Sequence, residues 1–313
     1  MTGWVKPVKV RTLKVRQPKA MRSTMLPNAL TILAKPELTK PQMVVAFTGW
    51  MDGGDVSTGT IEYLVDHLET QPLAEIDSEP FYIFNFPGSM ELSALFRPHA
   101  RIEDGLVREY EFPSNTFHFS PSSNLILFSG KEPNFQWSAF VDCMFVVAQQ
   151  FEVSMIWFIG SVAGMVPHTR DARLYSTVSH ESLKPQLERY GVRFTNYEGP
   201  SSMVTHMLAT AHERGHDMAT LVAEIPAYVQ GRNVRSIEAV IKRLNQVLGV
   251  EVNLGDLRAV SDELEKKISE AVDEQPELGE LIQKLEEDYD NEIFDTQMDD
   301  LKDWLQQKGI RLD

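Results

Sequence analysis

The sequence predicts an α/β fold built on a largely parallel sheet, with a helical C-terminal end. Three observations carry this. Residues 43–47 form an unbroken apolar run that ends in the small-residue turn Gly49-Trp50-Met51-Asp52-Gly53-Gly54 and leads into an amphipathic helix with Ile61, Leu64, Val65 and Leu68 on one face. A run that is apolar at every position suits a strand covered on both sides. Segments of strand character then alternate with segments of helical period, the pattern of parallel pairing and right-handed crossovers. After residue 250 the strand signal stops.

Taken in order, further strands are expected at 81–84, 107–112, 124–128, 155–159 and 221–225. Helices are expected where Trp137, Phe140, Val141, Met144, Val147, Ala148 and Phe151 recur, and again at Met203, Val204, Met207, Leu208 and Ala211. Gly215 is placed to stop the second of these. Ile237, Val240, Ile241, Leu244, Val247 and Leu248 mark a third helix. Residues 81–119, punctuated by Pro87, Gly88, Pro98, Gly105 and Pro113, suggest shorter strands and a loop insertion. Beyond residue 250, the stripe Leu257, Val260, Leu264, Ile268, Ala271, Val272 is interrupted by Pro276. It resumes as Leu278, Leu281, Ile282, Leu285, Tyr289, Ile293, Met298, Leu301 and Leu305. The expectation is a helical hairpin whose apolar stripes need a partner surface, in this chain or a neighbouring copy.

The 313 residues allow one large α/β domain with an appendage. The expected organisation is a basic, disordered extension over 1–26, an α/β core over 27–250 and an acidic helical tail over 251–313. The extension carries Lys6, Lys9, Arg11, Lys14, Arg16, Lys19 and Arg22 and no acid up to residue 22, without the apolar core of a secretory signal. It is either a solvated terminus, or one whose coding start lies at Met21 or Met25, or an arm that pairs with acids. Residues 251–313 hold 20 Asp or Glu against 7 Lys or Arg, a net −13 of the chain's −15. That balance argues against general nucleic-acid binding. A single cysteine, Cys143, leaves no internal disulfide framework and no cysteine-rich zinc site. No apolar run approaches the roughly 20 residues that span a membrane. The expectation is a cytoplasmic protein.

Four turns follow four expected strands: Thr48–Gly53, Ser129–Pro133, Gly160–Gly164 and Glu224–Tyr228. In an open parallel sheet such ends gather on one edge, where α/β proteins bind ligands. The candidate residues there, for a pocket or an interface, are Gly49, Trp50, Asp52, Gly53, Glu132, Gly160, His168, Arg170, Glu198 and Tyr228. The first turn has neither the Gly-Lys-Ser/Thr ending of a P-loop nor dinucleotide-turn spacing. Asp52 and Asp55 would repel an anion and suit helix capping better. Gly160-Ser161-Val162-Ala163-Gly164 has its serine second rather than central, so it is not a nucleophile elbow. Pro167-His168-Thr169-Arg170 could supply a general base and an anion clamp. The plainer expectation is a structural loop whose arginine bonds carboxylates such as Glu198. The histidines show no metal-ligand spacing, so neither a metal nor a cofactor is expected, and no catalytic residue is assigned. Trp50 and Trp137 are expected as core or interface aromatics.

Taken together and in order, the motifs resemble the proteasome assembly chaperone family, specifically the bacterial and archaeal relatives of its second chaperone subunit. The residues that carry this are Gly49-Trp50-Met51-Asp52-Gly53-Gly54, Gly130-Lys131-Glu132-Pro133 with Trp137, Val166-Pro167-His168-Thr169-Arg170, Tyr197-Glu198-Gly199-Pro200 and Ile225-Pro226-Ala227-Tyr228. The resemblance runs from about residue 43 to 257. It implies a three-layer α/β sandwich similar to the phosphorylase/hydrolase-like fold, frequent homo-oligomers and no established catalytic residues. Ala227 stands where the family often has histidine, which counts against catalytic use of that position. The chain ends Ile310-Arg311-Leu312-Asp313, not in the hydrophobic-Tyr-any pattern that docks relatives into proteasome pockets, so a proteasome partner is not expected. The expected function is a non-enzymatic, chaperone-like protein that self-associates and engages another protein. The competing expectation is an enzyme or small-molecule binder using the crevice at the strand ends.

Overall fold

The computed structural model describes residues 28–307. The basic extension expected over 1–26 and the last residues of the chain lie outside the described residues. The strands are β1 (Leu30–Ile32), β2 (Gln42–Thr48), β3 (Gln71–Ile76), β4 (His99–Glu103), β5 (Leu106–Glu111), β6 (Thr116–Ser120), β7 (Leu125–Lys131), β8 (Met155–Gly164), β9 (Leu174–Ser176), β10 (Arg193–Phe194) and β11 (Met218–Pro226). The helices are α1 (Val56–His67), α2 (Met90–Ala94), α3 (Trp137–Gln150), α4 (Lys184–Glu188), α5 (Met203–Ala211), α6 (Val234–Leu248), α7 (Gly255–Asp273) and α8 (Pro276–Gln307).

Nine strands form one sheet in the order β1-β3-β6-β7-β2-β8-β11-β9-β10. Its centre, β7-β2-β8-β11, is parallel throughout. The flank β1-β3-β6-β7 is antiparallel. β2 is covered on both faces, as its unbroken apolar run demands. Met43, Val45 and Phe47 point into one core with α3 and α5, while Val44 and Ala46 point into the other with α1 and α6. The architecture is thus a three-layer α/β sandwich. Gly59 lets α1 and α6 approach closely, because a Cβ there would sit 2.7 Å from the Ile237 side chain.

Three expectations change. Residues 81–84 are not a strand. Phe81 and Tyr82 are buried, but their backbone is tied to Ser78, Asn134 and Phe135, and the Tyr82 hydroxyl donates toward the Asn115 side chain and the Lys131 carbonyl. The strand near 107–112 exists as β5, yet it pairs only with β4 in a separate two-stranded sheet whose β4 is exposed throughout. Gly160–Gly164 is no turn, since β8 stays paired with β11 as far as Gly164 against Pro226.

The C-terminal segment folds back on the body. α7 packs on α6 and ends at Asp273, and α8 begins at Pro276, where a missing N–H costs nothing. Ser261, Val272, Ile282 and Leu285 are buried. The side chains of Ile293, Met298, Leu301 and Leu305, counted in the expected second stripe, lie outside the described residues. No helix among the described residues is long and apolar enough to cross a membrane.

Candidate functional site

The ends of β7, β2, β8 and β11 meet on one edge of the sheet, and two clusters of candidate residues form there. The first surrounds the turn after β2. Gly49 has φ +131°, and a Cβ on it would press against the Glu132 side chain at 3.2 Å. That closeness lets the Glu132 carboxylate accept from the Trp50 N–H at 3.3 Å and from the Met203 N–H, the first of α5, at 2.9 Å. Both oxygens are therefore used to hold two chain segments together at a helix start, where negative charge is favoured.

Asp52 does the equivalent for α1. Its carboxylate accepts from the Thr58 N–H at 3.1 Å and the Thr58 hydroxyl at 2.8 Å. Burial raises its pKa from the ordinary value, against the lowering effect of those hydrogen bonds. Asp55 occupies the left-handed position before α1 and makes no side-chain cap, so of the two acids expected to cap the helix only Asp52 does so. The Ser161 hydroxyl donates to the Gly53 carbonyl at 2.6 Å, spending the serine of β8 on the same turn. A Cβ on Gly160 would meet the Phe158 ring at 2.7 Å and the Met51 side chain and carbonyl at 3.3 and 3.4 Å.

The second cluster lies in the loop after β8. His168 is 4% exposed. The Tyr228 hydroxyl, beyond β11, accepts from the His168 backbone N–H at 2.7 Å and shares a hydrogen bond of 2.9 Å with Nδ1. Nε2 shares a hydrogen bond of 3.2 Å with the Ser269 hydroxyl of α7. Burial lowers the histidine's pKa, with the nearby Glu286 charge opposing and Arg235 assisting. Arg170 forks onto Asp290 of α8, Nε to Oδ1 at 2.9 Å and Nη2 to Oδ2 at 2.8 Å, and reaches Glu286 at 3.4 Å. Thr169 donates to the same Glu286. Arginine thus finds its carboxylates in α8 and not at Glu198, which sits exposed in the Tyr197–Pro200 turn.

The two clusters share a sheet edge, but they do not line one cavity. The cavity at His168 is lined also by Val166, Arg170, Glu224, Asn233 and Glu265, and its volume of about 20 Å³ suits roughly one water. Asp52 and Glu132 do not reach it. Among the described residues no group of three or more His, Cys, Asp or Glu could hold a metal ion. Gly215 ends the helix between His212 and His216, as expected, and those rings stack on His180 and Phe145 instead.

Sequence reasoning missed the basic side of the second cluster. Arg173 pairs with Glu292 at 2.6 Å and with Glu224 at 3.6 Å, and stacks on the Tyr289 ring at 4.4 Å. Arg193 also bonds Glu292, Arg235 bonds Glu265, and the Tyr289 hydroxyl donates to the Asp171 carbonyl. The signal was the acidity of the tail, which marked a need for cations without placing them.

A family model described as the PAC2 family matches residues 46–272. A proteasome-assembly chaperone homologue of Mycobacterium tuberculosis is 29% identical, with TM-score 0.67 over 77% of this chain and 99% of that one. A protein of unknown function from the same organism aligns at TM-score 0.74 with 19% identity, covering 88% of this chain and 93% of its own. PbaB of Pyrococcus furiosus, an archaeal proteasome activator, aligns at TM-score 0.58 with 18% identity over 79% and 99%. These last two establish likeness of fold alone. Comparison with curated proteins finds no match. With a family model spanning most of its length and the same fold in solved members, the chain belongs to the PAC2 family.

Proposed function

We propose that this chain is a chaperone-like assembly protein, without a catalytic site of its own, that self-associates and engages a protein partner. One observation carries it: the four candidate side chains at the sheet edge best suited to acid, base or anion chemistry are engaged in holding the backbone or the C-terminal helices. Asp52 spends both oxygens on Thr58, Glu132 both on main-chain amides, His168 both ring nitrogens, and Arg170 its fork on Asp290. The same edge exposes large apolar side chains, with Trp50 at 67% and Met165 at 64%. Such side chains are typical of protein contact surfaces. Gly49, Gly53 and Gly160 leave room for the Glu132, Ile225 and Phe158 side chains that pack against them. Likeness to a proteasome-assembly chaperone homologue at 29% identity supports the same direction. A single cysteine fits a reducing compartment, and we place the protein in the cytoplasm.

The competing enzymatic or small-molecule reading finds less support at the strand ends, because the cavity beside His168 and Arg170 has a volume of only about 20 Å³, and the larger one of about 340 Å³ next to it opens between Leu174, α6 and α7, away from Asp52 and Glu132. Light scattering across the micromolar range tests the proposal. A concentration-dependent oligomer weakened by Trp50→Asp is expected. A monomer at every concentration, with no captured partner, would overturn it.

A further inference from the structure

Four arginines of the body, Arg170, Arg173, Arg193 and Arg235, each meet a carboxylate of the α7–α8 hairpin, namely Asp290 with Glu286, Glu292, Glu292 again, and Glu265. Glu286 and Asp290 are four residues apart, so one helical face presents both. In a chain of net charge −15 this is a marked gathering of guanidinium groups.

α7 lays Leu257 against the core, with Leu264 and Ile268 partly buried, whereas over 276–292 most side chains are exposed, Ile282 and Leu285 are the buried hydrophobic ones, and the ion pairs supply much of the attachment. Ion pairs with partly exposed members contribute little each and weaken with salt. The basic side is also incompletely satisfied: the Nε atoms of Arg173 and Arg235 are buried with no hydrogen-bond partner among the described residues. The family match ends at residue 272, so Arg170, Arg173, Arg193 and Arg235 lie inside it and α8 lies beyond it.

We propose that the α7–α8 hairpin is a displaceable acidic strap, and that the Arg170, Arg173, Arg193 and Arg235 face beneath it docks an acidic segment of a partner protein. This deepens the partner-binding reading above and rests on it. The hairpin is the resident occupant, and its carboxylates on a helix show the chemistry the face accepts. Guanidinium forks favour paired carboxylates in this geometry. The surrounding negative charge disfavours a nucleic acid.

The test uses the full chain carrying Glu286→Gln and Asp290→Asn, with a fluorescent polyglutamate peptide as probe at low salt. Amide exchange over 276–292 should quicken while β2 and β8 keep their protection, and peptide affinity should rise about tenfold as competition is removed. Adding Arg170→Gln and Arg193→Gln should abolish the gain. Faster strap exchange without tighter peptide binding, or exchange that does not change, would overturn the proposal. So would a single-stranded DNA oligonucleotide binding as tightly as the peptide. Should the double variant loosen the whole molecule, the unaltered protein decides: salt raised from about 0.05 to 0.5 M must quicken exchange in the strap alone, and an indifferent strap sinks the idea. Self-association is measured separately, so loss of one reading leaves the other standing.

Discussion

Arg170 and Asp290 are 120 positions apart, yet their planar groups meet edge to edge through hydrogen bonds of 2.9 and 2.8 Å. This pair fastens α8 to the loop after β8. The Arg170 hydrogen bond holds the Asp290 carboxyl below its ordinary pKa. A depressed carboxylate stabilises above its unfolded pKa, here 3.8, and loses that contribution as pH falls through the folded value.

Arg170→Lys should not substitute for arginine. An ammonium is a single point of charge and cannot supply two parallel bonds to one carboxylate. The expected result is faster amide exchange across 276–292, with the central strands unaffected. Exchange equal to that of the parent protein would mean the fork does not fasten the helix.

His168 makes a second link between body and hairpin, through the Tyr228 hydroxyl at Nδ1 and the Ser269 hydroxyl at Nε2. Its pKa lies below the ordinary 6.5 because it is buried. The unfolded chain therefore takes up a proton near pH 6.5 that the folded chain refuses, so stability present above 6.5 is lost as pH falls toward the folded value. His168→Asn, which keeps an acceptor near Tyr228, should shrink the drop in urea midpoint between pH 7.5 and 5.5. His118 and His216 are also pushed down by burial and account for a remainder. An unchanged drop in the variant would rule out the His168 contribution.

How far the sequence disclosed these arrangements depends on distance along the chain. β2, β7, β8 and β11 are apolar runs covered on both faces, and each was legible as a strand. β9 and β10, of three and two residues, are too short to show a period, and β3 mixes exposed and buried positions behind Pro72. Residues 81–84 have strand composition, but their side chains anchor the segment while its backbone bonds go to a turn. Asp52 capping α1 was legible because partner and helix start lie six residues apart. The Arg170–Asp290 pair was not, since helical period fixes which face α8 buries but not the loop it crosses.

Glu132 offers a test of the structural role assigned to the sheet edge. Its two oxygens satisfy the Trp50 and Met203 amides. Glutamine keeps one acceptor and turns an N–H₂ toward the other amide, while alanine leaves both without this partner. Glu132→Gln should cost about 1–2 kcal/mol and Glu132→Ala about 2–3 kcal/mol in urea unfolding. Folding stability untouched by either change, with loss of some measured turnover, would return this residue to the catalytic reading.

Cys143 reports on whether the sandwich breathes. It sits in α3, fully buried in the core that contains Phe140 and Met144, and burial pushes its thiol pKa up to about 12. Only the thiolate attacks a disulfide reagent, and burial both shields this thiol from the reagent and keeps it protonated until the layer opens. Labelling of the native protein by an aromatic disulfide should therefore follow opening of the layer between α3 and the sheet, at a rate that rises with urea. Its free energy of opening should approach that of global unfolding, because α3 packs against the central strands. Rapid stoichiometric labelling in buffer alone would show that this layer opens locally, and the rigid edge assigned to Glu132 and α5 could not then rest on it.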